Sequence, residues 1–207
     1  RRVNHGFRAP LSSLKGTLRI MDGPAPPRAW RELMEMLNRD RERLEGVVND
    51  LVDEEQLAFG GLVLRPVALP VGPALEEAIL GVQSLAQHRR VEIRLEAAPE
   101  VRVWADPARF QQVLGSLLAR ALEQATTKGG IWVWADLPSE GRVRVSIHDP
   151  ARAPAVPGDV TGTFVPFTSG LGLSLARSLA EAMGGRLGQV AVEEGNTTWF
   201  ELPEATP

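Results

Sequence analysis

The chain has 207 residues, 43% of them hydrophobic, which suffices for one large domain or two small ones and excludes wholesale disorder. A net charge of −3 argues against a nucleic-acid partner, and the absence of cysteine excludes disulfides and thiolate metal sites. No apolar run approaches the ~20 residues that span a bilayer and no signal peptide is evident, so the segment is expected to be cytoplasmic, either alone or as the cytoplasmic part of a longer chain.

Residues 1–22 read as one helix. Phe7, Leu11, Leu14, Leu18 and Met21 step four, three, four and three residues, the seam of a helix that packs on partner helices. Asp22 to Pro27 is a breaker-rich turn, and a second helical stretch runs from Arg28 to Ala58. Leu37, Leu44, Leu51 and Ala58 are seven apart, with Leu33 and Val47 between them and Asp40 and Glu54 interrupting. Two such helices make an αα-hairpin. One hairpin cannot bury both seams, so residues 1–58 are expected to pair with a second copy in a four-helix bundle.

Beyond Phe59-Gly60-Gly61 the periodicity changes, which divides the chain into a hairpin, residues 1–60, and a second domain, residues 61–207. In that domain Leu62 to Leu64 reads as a short strand, Gly72 to His88 as a helix, Val91 to Leu95 as a strand and Val101 to Trp104 as an extended piece. Asp106 is placed to cap a helix that starts at Pro107 and runs to about Ala125. Ile131 to Ala135 and Arg142 to His148 alternate around Ser139-Glu140-Gly141 as a hairpin. Asp149 to Phe167 lacks periodicity and reads as a loop, Leu171 to Met183 as a helix stopped by Gly184-Gly185, and the last hairpin turns at Gly195-Asn196. Strands and helices mixed with antiparallel hairpins predict an α+β fold, a sheet sandwiched with its helices. Alternation sends Ile131, Val133, Val143, Val145, Ile147, Phe200 and Leu202 to the core. Trp132, Trp134 and Trp199 go to the opposite face, where Arg144 could stack on Trp134; that face is either a cross-strand aromatic ladder or a docking patch.

The candidate reactive group is His5. Helical residues turn about 100° each, so His5 lies about 200° from Phe7, on the side away from the seam. Its imidazole is then a water-facing nucleophile on an anchored helix, or simply a surface histidine near a chain end. Pro10 removes the hydrogen bond to the carbonyl of Gly6 and is expected to kink the helix beside the histidine. No two of His5, His88 and His148 stand at metal-ligand spacing, so no metal site is expected.

The chain resembles the catalytic core of bacterial sensor histidine kinases. His5-Gly6-Phe7-Arg8-Ala9-Pro10-Leu11 is similar to the family's phosphoacceptor box, with His5 as phosphoacceptor and Arg8 beside it. Arg43-Leu44 through Asp50-Leu51 resembles the second bundle helix. Arg65-Pro66-Val67, Ala105-Asp106 and Arg109 to Leu114 resemble the entry to the ATP-binding domain. Phe164-Val165-Pro166-Phe167 resembles the motif beside the ATP lid, and Gly170-Leu171-Gly172-Leu173 the second glycine box.

The resemblance breaks down at the groups that handle ATP. Where the family carries an acid after the histidine, this chain has Gly6, and where it carries a water-orienting polar residue, Ala9. The two asparagines that hold Mg²⁺ and phosphates correspond to Ser116 and Arg120, and a basic residue three further on corresponds to Glu123. A guanidinium has donors only and cannot ligate a cation. The first glycine box reads Asp149-Pro150-Ala151-Arg152-Ala153, which keeps the aspartate that would meet adenine and loses both glycines. Asp149, Gly170, Gly172 and Arg120 are thus the remains of a nucleotide site, open to weak ATP or ADP binding, with no cofactor required. The resemblance implies a homodimeric histidine phosphotransferase or pseudokinase with impaired ATP use. Its partner would be a response-regulator receiver domain, which supplies the Mg²⁺. An active autokinase phosphorylating His5 and a non-enzymatic dimeric regulator are the alternatives.

Overall fold

The computed structural model describes residues 3–21, 27–96, 100–125, 130–149, 171–192 and 195–205, with the side chains of residues 3–10 and of a few other helical and strand positions outside the description. The elements in chain order are α1 (Val3–Met21), α2 (Pro27–Ala58), β1 (Val67–Pro70), α3 (Val71–Arg89), β2 (Glu92–Leu95), β3 (Arg102–Ala105), α4 (Pro107–Gln124), β4 (Gly130–Ser139), β5 (Arg142–Asp149), α5 (Leu171–Ala182), β6 (Arg186–Val192) and β7 (Gly195–Pro203). They form two compact units, the first chiefly Arg1–Leu62 and the second chiefly Val63–Thr168 with Ala176–Pro207.

In the first unit α1 continues unbroken through Pro10 and packs against α2. Leu33 is buried between them, whereas Leu11 and Leu18 remain 46% and 47% exposed. An open apolar groove of about 750 Å³ is lined by Leu14, Leu18, Leu37, Leu44 and Val48. The interruption at Asp40 is buried, 3% exposed, and its Oδ2 has no hydrogen-bond partner among the described residues.

The second unit is built on a five-stranded sheet in the order β2-β4-β5-β7-β6, antiparallel except for β2 with β4. Alternation along β4, β5 and β7 puts Ile131, Val133, Val143, Val145, Ile147, Phe200 and Leu202 inward, each no more than 1% exposed. Against them pack Phe110, Leu114, Leu117, Leu118 and Leu122 of α4, all fully buried. Phe110 meets Phe200 edge to face, with centroids 5.4 Å apart. Leu179 and Ala180 of α5 are buried as well, and that helix ends where Gly184 takes φ +75° and its amide donates to the carbonyl of Glu181.

Asp106 does more than the cap expected of it. Its Oδ1 accepts from the amides of Ala108 (3.0 Å) and Arg109 (3.2 Å), and its Oδ2 from the amide of Arg65 (2.9 Å). One carboxylate therefore starts α4 and fastens the chain segment that leads into the sheet. Asp106→Ala should cost about 1–2 kcal/mol in urea unfolding of the second unit, and Asp106→Asn less, because the amide oxygen can still accept.

Three local expectations are corrected. The strand placed at Leu62 to Leu64 lies at Val67–Pro70, because its partner is β3, in the register Val67 to Ala105 and Pro70 to Arg102. The last hairpin reverses between Val192 and Gly195, so Gly195 and Asn196 are strand residues paired with Val192 and Ala191. Arg144 stands opposite Asp136, not Trp134, because β4 and β5 pair in the register Trp132 to His148 and Trp134 to Ser146. The loop expected over Asp149 to Phe167 lies outside the described residues after Asp149, which is the last residue of β5.

Candidate functional site

His5 is the third residue of α1, and Arg8 follows one turn on; both side chains lie outside the described residues, as does the direction of the imidazole. Helical spacing fixes only their backbone positions: His5, Gly6 and Ala9 share the first turns of the helix that carries Leu11, Leu14 and Leu18.

Arg120 and Asp149 belong to the other unit. Asp149 closes β5, is 3% exposed and stands opposite Asn196 of β7. α4 packs on β5, so Arg120 and Asp149 sit on adjoining elements. Gly172 is the second residue of α5, and Gly170 lies outside the described residues. Along α4, positions 109, 112, 116, 120 and 123 recur every three or four residues and share one stripe. Arg109 Nη1 donates to Gln112 Oε1 at 2.8 Å, and Ser116 Oγ donates to the Gln112 carbonyl at 2.9 Å. Arg120 is half-buried, and its Nε is buried with no acceptor among the described residues. Glu123 is exposed one turn further on.

These residues do not suit a divalent cation. A Mg²⁺ ligand set needs oxygens converging on one point. Ser116 offers one oxygen, whose proton is already given to the helix backbone, and Arg120 offers none. Among the described residues no three His, Asp or Glu side chains converge on one point. At Arg120 the helix carries a donor group instead, which suits an anion.

The outer face of the sheet holds a charged cluster that the sequence reading did not single out. Glu201 is fully buried there, on the solvent side of the sheet. Its Oε1 accepts from Arg144 Nη2 (2.5 Å) and Nε (2.8 Å), and its Oε2 from Arg186 Nε (2.5 Å). Both guanidiniums also lie over the Trp199 ring, at 4.9 and 5.8 Å from its centroid. An ideal Cβ on Gly188 would fall 2.4 Å from that ring, so only glycine fits beneath it. The available signal was the shared parity of Arg144, Glu201 and Arg186 on neighbouring strands. Trp132 leans on His148 (5.9 Å between rings), whose Nδ1 lies 3.1 Å from Thr197 Oγ1, and Trp134 Nε1 donates to Asp136. The aromatic face is thus largely tied to its own sheet.

Burial opposes the charge on Glu201, but hydrogen bonds from Arg186 and Arg144 outweigh it and hold the carboxyl below its ordinary range. The cluster's contribution to stability is therefore fully present above the pKa of an unfolded glutamate and is lost as pH falls through the lowered value. Glu201→Gln should cost about 2 kcal/mol at neutral pH and flatten the acid limb of a Tm-against-pH curve. An unchanged acid limb would mean the pair contributes nothing.

Residues 105–206 match the family of histidine kinase-, DNA gyrase B- and HSP90-like ATPases, which covers α4, Arg120 and Asp149. Over 210 residues the chain is 30% identical to sensor histidine kinase ZraS of Escherichia coli K12, covering 97% of this chain and 43% of ZraS. The chain has the catalytic core of a sensor histidine kinase. Its structure superposes on histidine kinase AdeS of Acinetobacter baumannii with a TM-score of 0.75 at 20% identity, covering 98% of both chains. It also superposes on histidine kinase ThkA, solved in complex with response regulator protein TrrA, with a TM-score of 0.66 at 23% identity, covering 99% of this chain and 60% of that one. At these identities the structural likenesses establish the fold, a helical hairpin followed by an ATPase-type sandwich. The chain spans less than half the length of the curated sensor kinases it matches. It is a histidine-kinase-like two-component signalling protein.

Proposed function

We propose that this chain is a kinase-derived histidine phosphotransferase, in which His5 accepts a phosphoryl group from a receiver domain and returns it to another. The observation that carries the reading is the α4 stripe. At the positions where the family holds its metal there is a hydroxyl bonded to the helix backbone and a guanidinium. Metal neutralisation and a general base each contribute about 10²-fold or more to phosphoryl transfer from ATP. A chain with Gly6 beside the histidine and donors in the cation's place has lost both.

Transfer from a receiver asks less. An imidazole nitrogen of His5 attacks the phosphorus of the receiver's aspartyl phosphate; the N–P bond forms, the P–O bond to the aspartate breaks and the carboxylate leaves. The receiver brings the acidic pocket and its Mg²⁺. This chain brings the imidazole, Arg8 and a docking surface on a helical stalk. The groove lined by Leu14, Leu18, Leu44 and Val48 supports pairing of two hairpins in a four-helix bundle, because Leu18 and Val48 in its lining stay 47% exposed. ThkA was solved with a response regulator bound, which supports a receiver as the partner class here.

Mixing the purified chain with receiver domains charged by a small phosphodonor tests the reading. Acid-labile label should move onto this chain within minutes and return to fresh unphosphorylated receiver. Failure of every receiver from the source organism to label it would contradict the proposal and leave the non-enzymatic regulator as the better reading.

A further inference from the structure

The α4 stripe supports a statement about a ligand as well as about a lost metal. Its donors are satisfied along the helix, Arg109 by Gln112 and Ser116 by the Gln112 carbonyl, with Arg120 as the exception among the described residues. A guanidinium that is half-buried with its Nε out of water is costly unless an anion meets it. The nearest ready partner in sequence is Glu123, one turn away on the same stripe, yet no ion pair joins the two, and Glu123 stays exposed. The head group of Arg120 is therefore not spent on its own helix. It lies inside the segment that matches an ATPase family, on a helix packed against the strand that ends in buried Asp149.

We infer that Arg120 is a direct phosphate contact, and that the second unit binds the polyphosphate of a nucleotide without a divalent cation. A planar fork of donors matches phosphate oxygens, and its fixed charge does locally what a bound cation would otherwise do. Binding of this kind holds a ligand without activating it, because no Lewis acid draws charge from the bridging oxygens. Nucleotide would then act on this chain as a regulator of its fold or its partners and not as a phosphoryl donor. The inference rests on the reading of α4 given above, not on transfer through His5.

Calorimetric titration of the whole chain with ADP, AMP, pyrophosphate and adenosine, each in EDTA and again in Mg²⁺, tests it. ADP should bind in EDTA with an affinity that Mg²⁺ changes by less than about threefold, with pyrophosphate competing and adenosine not. Arg120→Ala should weaken ADP at least about tenfold. Arg120→Lys should fall between, since it keeps the charge and loses the fork. Circular dichroism of both variants checks that the unit is still folded, and if Arg120→Ala does not fold, the Lys variant alone decides. Four results would overturn the inference: no ADP binding, binding only with Mg²⁺, adenosine competing as well as ADP, or equal affinity in the arginine variants. Labelling of His5 by charged receivers, run without nucleotide, separates the two claims, since either can fail while the other holds.

Discussion

His5→Ala should abolish labelling by phosphorylated receivers altogether, because no other group is assigned to take the phosphoryl. The change lies in the first turns of α1, and alanine keeps the helix propensity there, so the circular dichroism spectrum should be unchanged. His88 and His148 provide the internal control. His148 is engaged with Thr197 and Trp132 on the sheet, and His88 is exposed in the last turn of α3. Substituting either by glutamine should leave labelling intact. Residual label of more than a few per cent on the His5→Ala chain, mapped to another residue, would mean that the phosphoacceptor has been misassigned.

The largest expected loss of stability is at Phe110. It is fully buried, belongs to α4 and meets Phe200 at 5.4 Å in the layer that joins helix to sheet. Phe110→Ala removes that contact and opens a cavity against the inward face of β7, at an expected cost of about 3–5 kcal/mol. Such a loss is a large share of the stability of an ordinary domain. A double-mutant cycle with Phe200→Leu should show coupling of about 0.5–1.5 kcal/mol from the edge-to-face pair. Purely additive losses would show that burial alone holds the layer together. Both values are read from urea unfolding of the second unit. The same experiment bears on function, since loosening α4 displaces Arg120 without altering it.

Much of this architecture could be read from the chain because local rules coincide with the global packing. Ile131, Val133, Val143, Val145 and Ile147 alternate because one face of their sheet is covered, and the period of two records that directly. Asp106-Pro107 marks a helix start with a carboxylate acceptor and a residue that needs no amide partner. The errors occur where the deciding contact is distant in sequence. Val63 and Leu64 are as apolar as Val67 and Leu69, but only the latter meet β3, some thirty-five residues away. Glu201 reads as one more exposed strand acid until Arg144 and Arg186 arrive on either side. Arg144 was expected on Trp134; its partner on β7 is Glu201, two residues from Trp199, and its guanidinium lies over that ring instead. For the candidate site, sequence comparison singled out Ser116 and Arg120 as departures, while the commitment of the serine proton to Gln112 and the burial of the Arg120 Nε are properties of the folded helix.

One comparison goes to the heart of the account: the same preparation is given radiolabelled ATP with Mg²⁺ in one tube and a radiolabelled phospho-receiver in another, and acid-labile label on His5 is counted in both. Label from the receiver with none from ATP is the predicted result. Label on His5 from ATP and Mg²⁺ alone would contradict it, and would mean that Arg120 and Gly6 have not disarmed this kinase.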